Sequence, residues 1–420
     1  MSSAVAHLSP SELERLRGRT VRTLVGGVAL GSTGHIAAIT VATIVAKDMT
    51  GSASLAGAPA AAVVFGAAIG ATVLSWLMSK RGRRPGLVAG YGTGVLGAMI
   101  AVIAIVQGSF PLLLAGSLLI GFGNSANQLS RYAAADLYPP ARRATALSTV
   151  VWAATVGAIV GPNIVGPSGE VAIRLGLPRE AGPYLVPIVL VGLAGILSWV
   201  RLRPDPYDLA DHHGRPEANT GPASPLRSIL RRPAVSVAII ALVIGQFVMV
   251  LIMTMTPLHM TDHGHDLSAV GIVLSAHIAG MYAFAPISGR LTDRFGSPPV
   301  IYGGMAILAV SAVLAAVAPA EDDSVLLVAL FLLGFGWNLG YVAGSALLTS
   351  GVAIVERTRV QGVADALIWS TAAIASLGSG VLVAAEGYAA LGILGAVLVA
   401  VPAWFLTVRR GALEQMPSTA

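Results

Sequence analysis

The chain contains no cysteine. Disulfides and thiolate-held metals are therefore excluded, and any soft-metal ligand must be methionine or histidine. Charge is scarce as well. Asp, Glu, Lys and Arg make up 11% of the 420 residues, against about 25% in a soluble domain. That is too little to clothe a water-facing surface of this size. There is no long polar domain either; the one extended polar break runs from Leu202 to Pro233. It is short and proline-rich, and no phosphate-binding glycine loop or nucleophile-and-base arrangement occurs, so an enzyme is not expected.

What is present is apolar and comes in blocks. Hydrophobic residues make up 55% of the chain and the mean hydropathy is +0.78. A bilayer core of roughly 30 Å needs about 20 mostly apolar residues per helical crossing. Spans are predicted near 20–46, 57–78, 86–106, 111–136, 143–167 and 184–201, then near 234–258, 267–288, 299–318, 325–354, 359–384 and 389–407. The expected fold is an all-α integral membrane protein with twelve transmembrane helices in two pseudo-symmetric six-helix bundles. The bundles cover 20–201 and 234–407, with an N-terminal segment over 1–19, a linker over 202–233 and a tail over 408–420. Residues 1–19 lack the apolar core of a secretory signal. Ser9-Pro10-Ser11-Glu12 reads as a helix start, predicting a short surface helix that feeds the first span.

The net charge of +6 raises nucleic acid as a partner, and the placement of the charges excludes it. With the N-terminus inside, alternate loops hold 22 of the 26 Lys and Arg residues, including Lys80-Arg81, Arg142-Arg143, Arg231-Arg232 and Arg409-Arg410. This sorting predicts a multi-pass protein of the inner (plasma) membrane with both termini cytoplasmic. The expected partner is the lipid bilayer. His212-His213 lie in the proline-rich linker and read as a solvated pair.

The halves echo each other. Gly121-Phe122-Gly123 in span four matches Gly334-Phe335-Gly336 in span ten, 213 residues on. The loop after span two reads Ser79-Lys80-Arg81-Gly82-Arg83-Arg84, and the loop after span eight reads Asp293-Arg294-Phe295-Gly296. At these residues the chain resembles the major facilitator superfamily. The second loop fits that signature at Gly289, Asp293, Arg294 and Gly296, although Ser297 and Pro298 replace its basic pair. The first keeps Gly82, Arg83 and Arg84 but has Ser75 where Gly is expected and Ser79 where Asp is expected. Gly157, Gly161-Pro162 and Gly166 in span five resemble the signature of proton-coupled exporters of that superfamily. The resemblance implies a monomeric transporter working by alternating access, with a substrate path between the bundles and the loops acting as conformational latches.

Ionisable residues within spans are costly and often functional. Arg131, Asp136 and Asp365 lie toward the cytoplasmic ends of spans four and eleven and read as inner-gate candidates. His35, in span one, is the proton-coupling candidate because no acid sits deep in the first half. From Met249 to Met281, 33 residues hold five of the eleven Met and four of the eight His. Met249 and Met253 share one helix face, as do His277 and Met281. Such a soft set suits Cu(I). Met255, His259, Met260, His263 and His265 fall at the expected outer mouth. The paired spacings in spans seven and eight resemble copper importers of the CcoA type, and that resemblance implies copper as a transported substrate, with no resident cofactor. The alternative is proton-coupled efflux of a drug or small metabolite, since methionine-rich pockets also bind hydrophobic compounds loosely.

Overall fold

The computed structural model describes residues 9–51, 55, 57–210, 225–265, 267–319, 323–350, 352 and 354–414. Residues 211–224, which include His212-His213, lie outside the described residues, as do the first part of the N-terminal segment and the end of the tail.

Among the described residues seventeen α-helices follow one another. They are α1 (Pro10–Thr50), α2 (Ala58–Arg81), α3 (Arg83–Gln107), α4 (Phe110–Ala135), α5 (Pro140–Trp152), α6 (Ala154–Asn163), α7 (Val165–Arg174), α8 (Gly182–Arg201) and α9 (Pro206–Ala210). They continue as α10 (Leu226–Leu230), α11 (Pro233–Asp262), α12 (Leu267–Tyr282), α13 (Ala285–Phe295), α14 (Ser297–Val317), α15 (Asp323–Thr349), α16 (Ile354–Glu386) and α17 (Ala389–Glu414). Eleven helical stretches among the described residues are long and apolar enough to cross a membrane. The twelfth expected span is α4, which has spanning length at 26 residues. Asn124, Asn127, Gln128 and Arg131 make it too polar for that set. Large apolar side chains lie on the outside, with Leu377 73%, Val381 72% and Trp404 65% exposed. Water would penalise such a surface, whereas lipid solvates it.

The helix start at Ser9 forms as a capping box, with the Glu12 amide on Ser9 Oγ and the Glu12 carboxylate on the Ser9 amide. No break separates it from the first span. Instead of a short surface helix feeding a span, α1 is one helix of 41 residues, about 60 Å long at 1.5 Å per residue. No proline interrupts the join around Arg17–Arg22, and the single glycine there, Gly18, is carried within the helix.

The chain divides into two compact units. The first comprises Met1–Pro139, Ala153–Ala223 and Ile354–Trp369. It holds α1 to α4, α6 to α9 and the start of α16. Small residues let its helices touch, as a Cβ on Gly121 of α4 would strike the backbone of Val63 on α2. Span five is three helices, α5 to α7, with Pro162 inside α6. Gly157 and Gly161 lie hard against Ser32 and Ile36 of α1, while Gly166 faces open space.

The second unit comprises Pro140–Trp152, Ser224–Ala353 and Ser370–Ala420. It repeats the same packing. A Cβ on Gly334 of α15 would strike the His277 carbonyl on α12, and His277 stands 214 positions after Val63. Span eight is divided into α12 and α13 around Phe284, whose ring packs edge-on against Phe331 and Phe335. The units exchange two helix starts relative to the chain halves. The whole of α5, which begins span five, belongs with the second unit because it packs on α13, and the start of α16 belongs with the first.

Candidate functional site

In the first unit the gate candidates form two buried ion-pair groups. Gly82 has φ +91°, ψ 172°, a backbone state that only glycine adopts readily. It turns the chain so that Arg83 opens α3 and points inward. The Arg83 side chain is fully buried and donates to Asp136 at 2.6 and 3.1 Å and to Gln361 Oε1 at 2.6 Å. Arg357 approaches the other Asp136 oxygen at 3.4 Å. The second group is Arg131, paired with Asp365 at 2.6 Å. The Tyr132 hydroxyl donates to the same Asp365 oxygen at 3.2 Å, and the Arg131 guanidinium lies over the Tyr132 ring at 4.2 Å. Charges taken this far from water persist only when paired and hydrogen-bonded.

The second unit carries the other loop. Asp293, at the end of α13, accepts from the Ala144 amide at 2.9 Å and the Thr145 amide at 2.8 Å. These amides lie near the start of α5, so a carboxylate sits on the positive end of a helix. Gly289 brings α13 against α5, where an added Cβ would lie 2.8 Å from the Ala144 carbonyl. Gly296 has φ +84°. Arg294 is exposed and lies over the Phe295 ring at 5.2 Å.

The two departures in the first loop have physical answers. Ser75 is buried and faces Gly362 of α16, where an added Cβ would lie 2.5 Å from Ser75 Oγ and 2.9 Å from the Ala71 carbonyl. Ser75 and Gly289 are 214 positions apart, and so are Ser148 and Gly362. The small and large partners have changed places across the repeat, and the helices still meet. Among the described residues Ser79 bonds only its own helix, donating to the Trp76 carbonyl at 2.7 Å. A different acid serves this loop. Asp205, just before α9, accepts from the amides of Arg83 at 3.0 Å, Arg84 at 2.9 Å and Tyr207 at 2.8 Å. It caps α3 from the stretch read as linker. Sequence reasoning missed Asp205, Gln361, Arg357 and Gly362. The 214-residue offset applied to Ser148 would have found Gly362.

The methionine and histidine candidates all lie in the second unit. His277 is fully buried on α12, with Nδ1 2.9 Å from the Leu330 carbonyl of α15 and, among the described residues, no hydrogen-bond partner at Nε2. Met249 and Met281 are buried, and Met253 is half-buried. The structure thus joins the His277 ring to α15, and the Met281 carbonyl accepts from Asn338 of the same helix at 2.6 Å. Of the outer-mouth candidates, His259 stacks on Tyr388 with centroids 4.1 Å apart and meets His263 at 4.4 Å. Met260 is buried, Met255 approaches Gly380, and His265 is half-buried. Burial pushes the Tyr388 phenol up to about 12, partly offset by its hydrogen bond with Thr256. Among the described residues no group of three or more His, Asp or Glu is placed to hold a metal ion.

Two further polar constellations sit inside the helices. In the first unit the Tyr91 hydroxyl donates to Asn127 Oδ1 at 3.2 Å, and Asn127 Nδ2 donates to Ser32 Oγ at 2.7 Å. His35, one turn beyond Ser32, is buried with Nε2 toward Gly94 of α3. In the second unit Trp337 stacks on Tyr341 with centroids 4.4 Å apart and planes at 19°. Its indole N–H donates to Gln246 Oε1 of α11 at 2.9 Å, and Tyr282 meets its edge at 6.1 Å. This wall of two stacked rings, a third edge and an amide was not legible as a unit, because its members come from three helices.

Comparison with known proteins supplies the context. The profile of the Major Facilitator Superfamily matches residues 23–272 and 249–418. The MFS-type transporter YddS of Bacillus subtilis (strain 168) is 38% identical over 395 residues, covering 93% of this chain and 90% of the relative. The riboflavin transporter RfnT of Brucella anthropi is 30% identical over 376 residues, covering 88% of this chain and 90% of the relative. Among solved structures, a point variant of the fucose:proton symporter FucP of E. coli superposes with a TM-score of 0.72 at 17% identity, covering 93% of this chain and 98% of that one.

Proposed function

The chain belongs to the major facilitator superfamily and is a multi-pass membrane transporter rather than an enzyme, and from that premise we propose that it carries a flat, conjugated organic solute of the flavin kind by alternating access. The observation that carries this reading is the Trp337–Tyr341 stack with Gln246 bonded to the indole. Aromatic faces hold a planar ring system by stacking, and a side-chain amide reads its polar edge. A relative named as a riboflavin transporter supports the same substrate class.

The loops and ion pairs fit the conformational half of the proposal. Asp293 on the α5 amides, Arg83 with Asp136 and Gln361, and Arg131 with Asp365 are contacts that hold one state. Each must open or exchange partners when the other state forms. We place the arginine-rich ends and both termini in the cytoplasm by the inside-positive rule, and read the transporter as a monomer. His35 remains the proton-coupling candidate.

Copper import is the second reading. It is favoured by one observation, the buried Nε2 of His277 that has no hydrogen-bond partner among the described residues while Nδ1 is held by Leu330. That arrangement fixes the tautomer a metal ligand needs. Binding separates the two readings. Purified protein should quench flavin fluorescence saturably, with the quench lost in Trp337→Leu and kept in His277→Ala. Stoichiometric Cu(I) retention abolished by His277→Ala, without flavin quenching, would reverse the assignment.

A further inference from the structure

The arginines at the start of α1 do more than mark orientation. Arg15, Arg19 and Arg22 follow at intervals of four and three along one helix, so they share a face. With Arg201 at the end of α8 they line a cavity of about 520 Å³, floored by Leu16 and Leu197. The sorting of positive charge to one side of a membrane explains arginines in a loop. It does not explain four that converge on one hollow from two helices.

Among the described residues no carboxylate lines the hollow. Glu12 is turned back onto Ser9, accepting at 2.9 Å from its amide and 2.7 Å from its hydroxyl. Glu14 pairs with Arg17, which lies outside the cavity lining. Asp205 is engaged in capping α3. Among the described residues no carboxylate lies within ion-pair distance of Arg15, Arg19, Arg22 or Arg201. Arg19 directs one Nη to the Arg203 carbonyl, and its buried Nε has no hydrogen-bond partner among the described residues. A guanidinium cluster with donors to spare is built for phosphate oxygens.

The surroundings select the source of that phosphate. Up α8 from Arg201 the outward side chains are Val200, Trp199, Ile196 and Leu193, exposed by 57, 52, 61 and 45%. The Trp199 ring lies under Arg84 at 4.3 Å and near Arg203 at 5.6 Å. This is an apolar flank ending in an aromatic at the level of the charges, as at a membrane interface. We propose that the cavity holds the headgroup of an anionic phospholipid, with its acyl chains along the outer face of α8. On the orientation proposed above this lipid lies in the cytoplasmic leaflet. A basic pocket between spans is a recognised form of headgroup site.

The test is lipid retention by purified full-length protein, read by native mass spectrometry with phosphatidylglycerol, phosphatidylcholine or inorganic phosphate added. The proposal expects bound phosphatidylglycerol, little phosphatidylcholine, and no displacement of the lipid by millimolar inorganic phosphate. Apparent affinity should fall about fivefold for each arginine removed, measured first in Arg15→Gln, an exposed position where folding is not at risk, then in Arg15→Gln/Arg19→Gln/Arg201→Gln. Arg174→Gln, remote from the cavity in sequence and on the other expected side, should retain lipid like the parent. Equal retention by parent and Arg15→Gln, equal binding of the two lipids, or displacement by inorganic phosphate would each overturn the assignment.

Discussion

The exchange of Ser75 and Gly362 against Gly289 and Ser148 predicts a swap that should nearly restore what either single change damages. Gly362→Ser puts a side chain where an ideal Cβ already lies 2.5 Å from Ser75 Oγ and 2.9 Å from the Ala71 carbonyl. Both partners sit on long, packed helices, so neither side yields cheaply. Such overpacking costs about 1–3 kcal/mol, offset by roughly 0.5 kcal/mol because serine is the better helix former. Ser75→Gly is milder. Its hydroxyl is buried without a hydrogen-bond partner among the described residues, so its loss leaves mainly the backbone penalty of about 0.5 kcal/mol. In the double variant the new side chain faces a glycine, which is the arrangement already present at Ser148 and Gly289. The coupling should therefore be favourable by about 1–2 kcal/mol, within the range seen for touching residues. Thermal unfolding of all four proteins in one detergent measures it. Additive losses, or a harmless Gly362→Ser, would refute the argument that the repeat has exchanged its small and large partners.

Other perturbations follow from the same contacts. Asp205→Ala removes the cap of α3 and should destabilise by about 1–2 kcal/mol, with Asp205→Asn intermediate, again by thermal unfolding. Asp365→Asn removes the carboxylate that lies 2.6 Å from the buried Arg131 guanidinium, so a loss of about 3 kcal/mol is expected, largely recovered when Arg131→Gln is added. Asp293→Asn keeps the shape but removes the charge on the α5 amides. A contribution of about 0.3–1 kcal/mol to the latched state should vanish, raising the accessibility of a cysteine introduced at Ala144 to a thiol reagent.

Much of the fold was open to inspection in the sequence because lipid imposes a simple demand. Each crossing must satisfy its own backbone, so apolar blocks had to be helices. The glycine repeats could be paired because close approach tolerates little else, as at Gly121 and Gly334. The continuity of α1 was missed because charge was read as a boundary, whereas the helix continues through Arg17–Arg22 without a proline to stop it. The site was less legible. Arg131, Asp136 and Asp365 stood out because buried charge is costly, and Arg83 because it belongs to the loop signature, yet the pairing of Arg131 with Asp365 and of Arg83 with Gln361 depends on the start of α16 joining the first unit. Asp205 was hidden by its place in a proline-rich stretch that resembles a solvated linker. The methionine and histidine spacing could be seen along each helix, but not that His277 is held by α15. Spacing gives a face of one helix and not the identity of the helix it meets.

Flux through the isolated protein tests the central claim. In proteoliposomes preloaded with unlabelled riboflavin, the protein should drive counterflow of labelled riboflavin, and Trp337→Leu should abolish it while still inserting into the bilayer. Counterflow no greater than in protein-free vesicles, or unchanged in Trp337→Leu, would contradict the account.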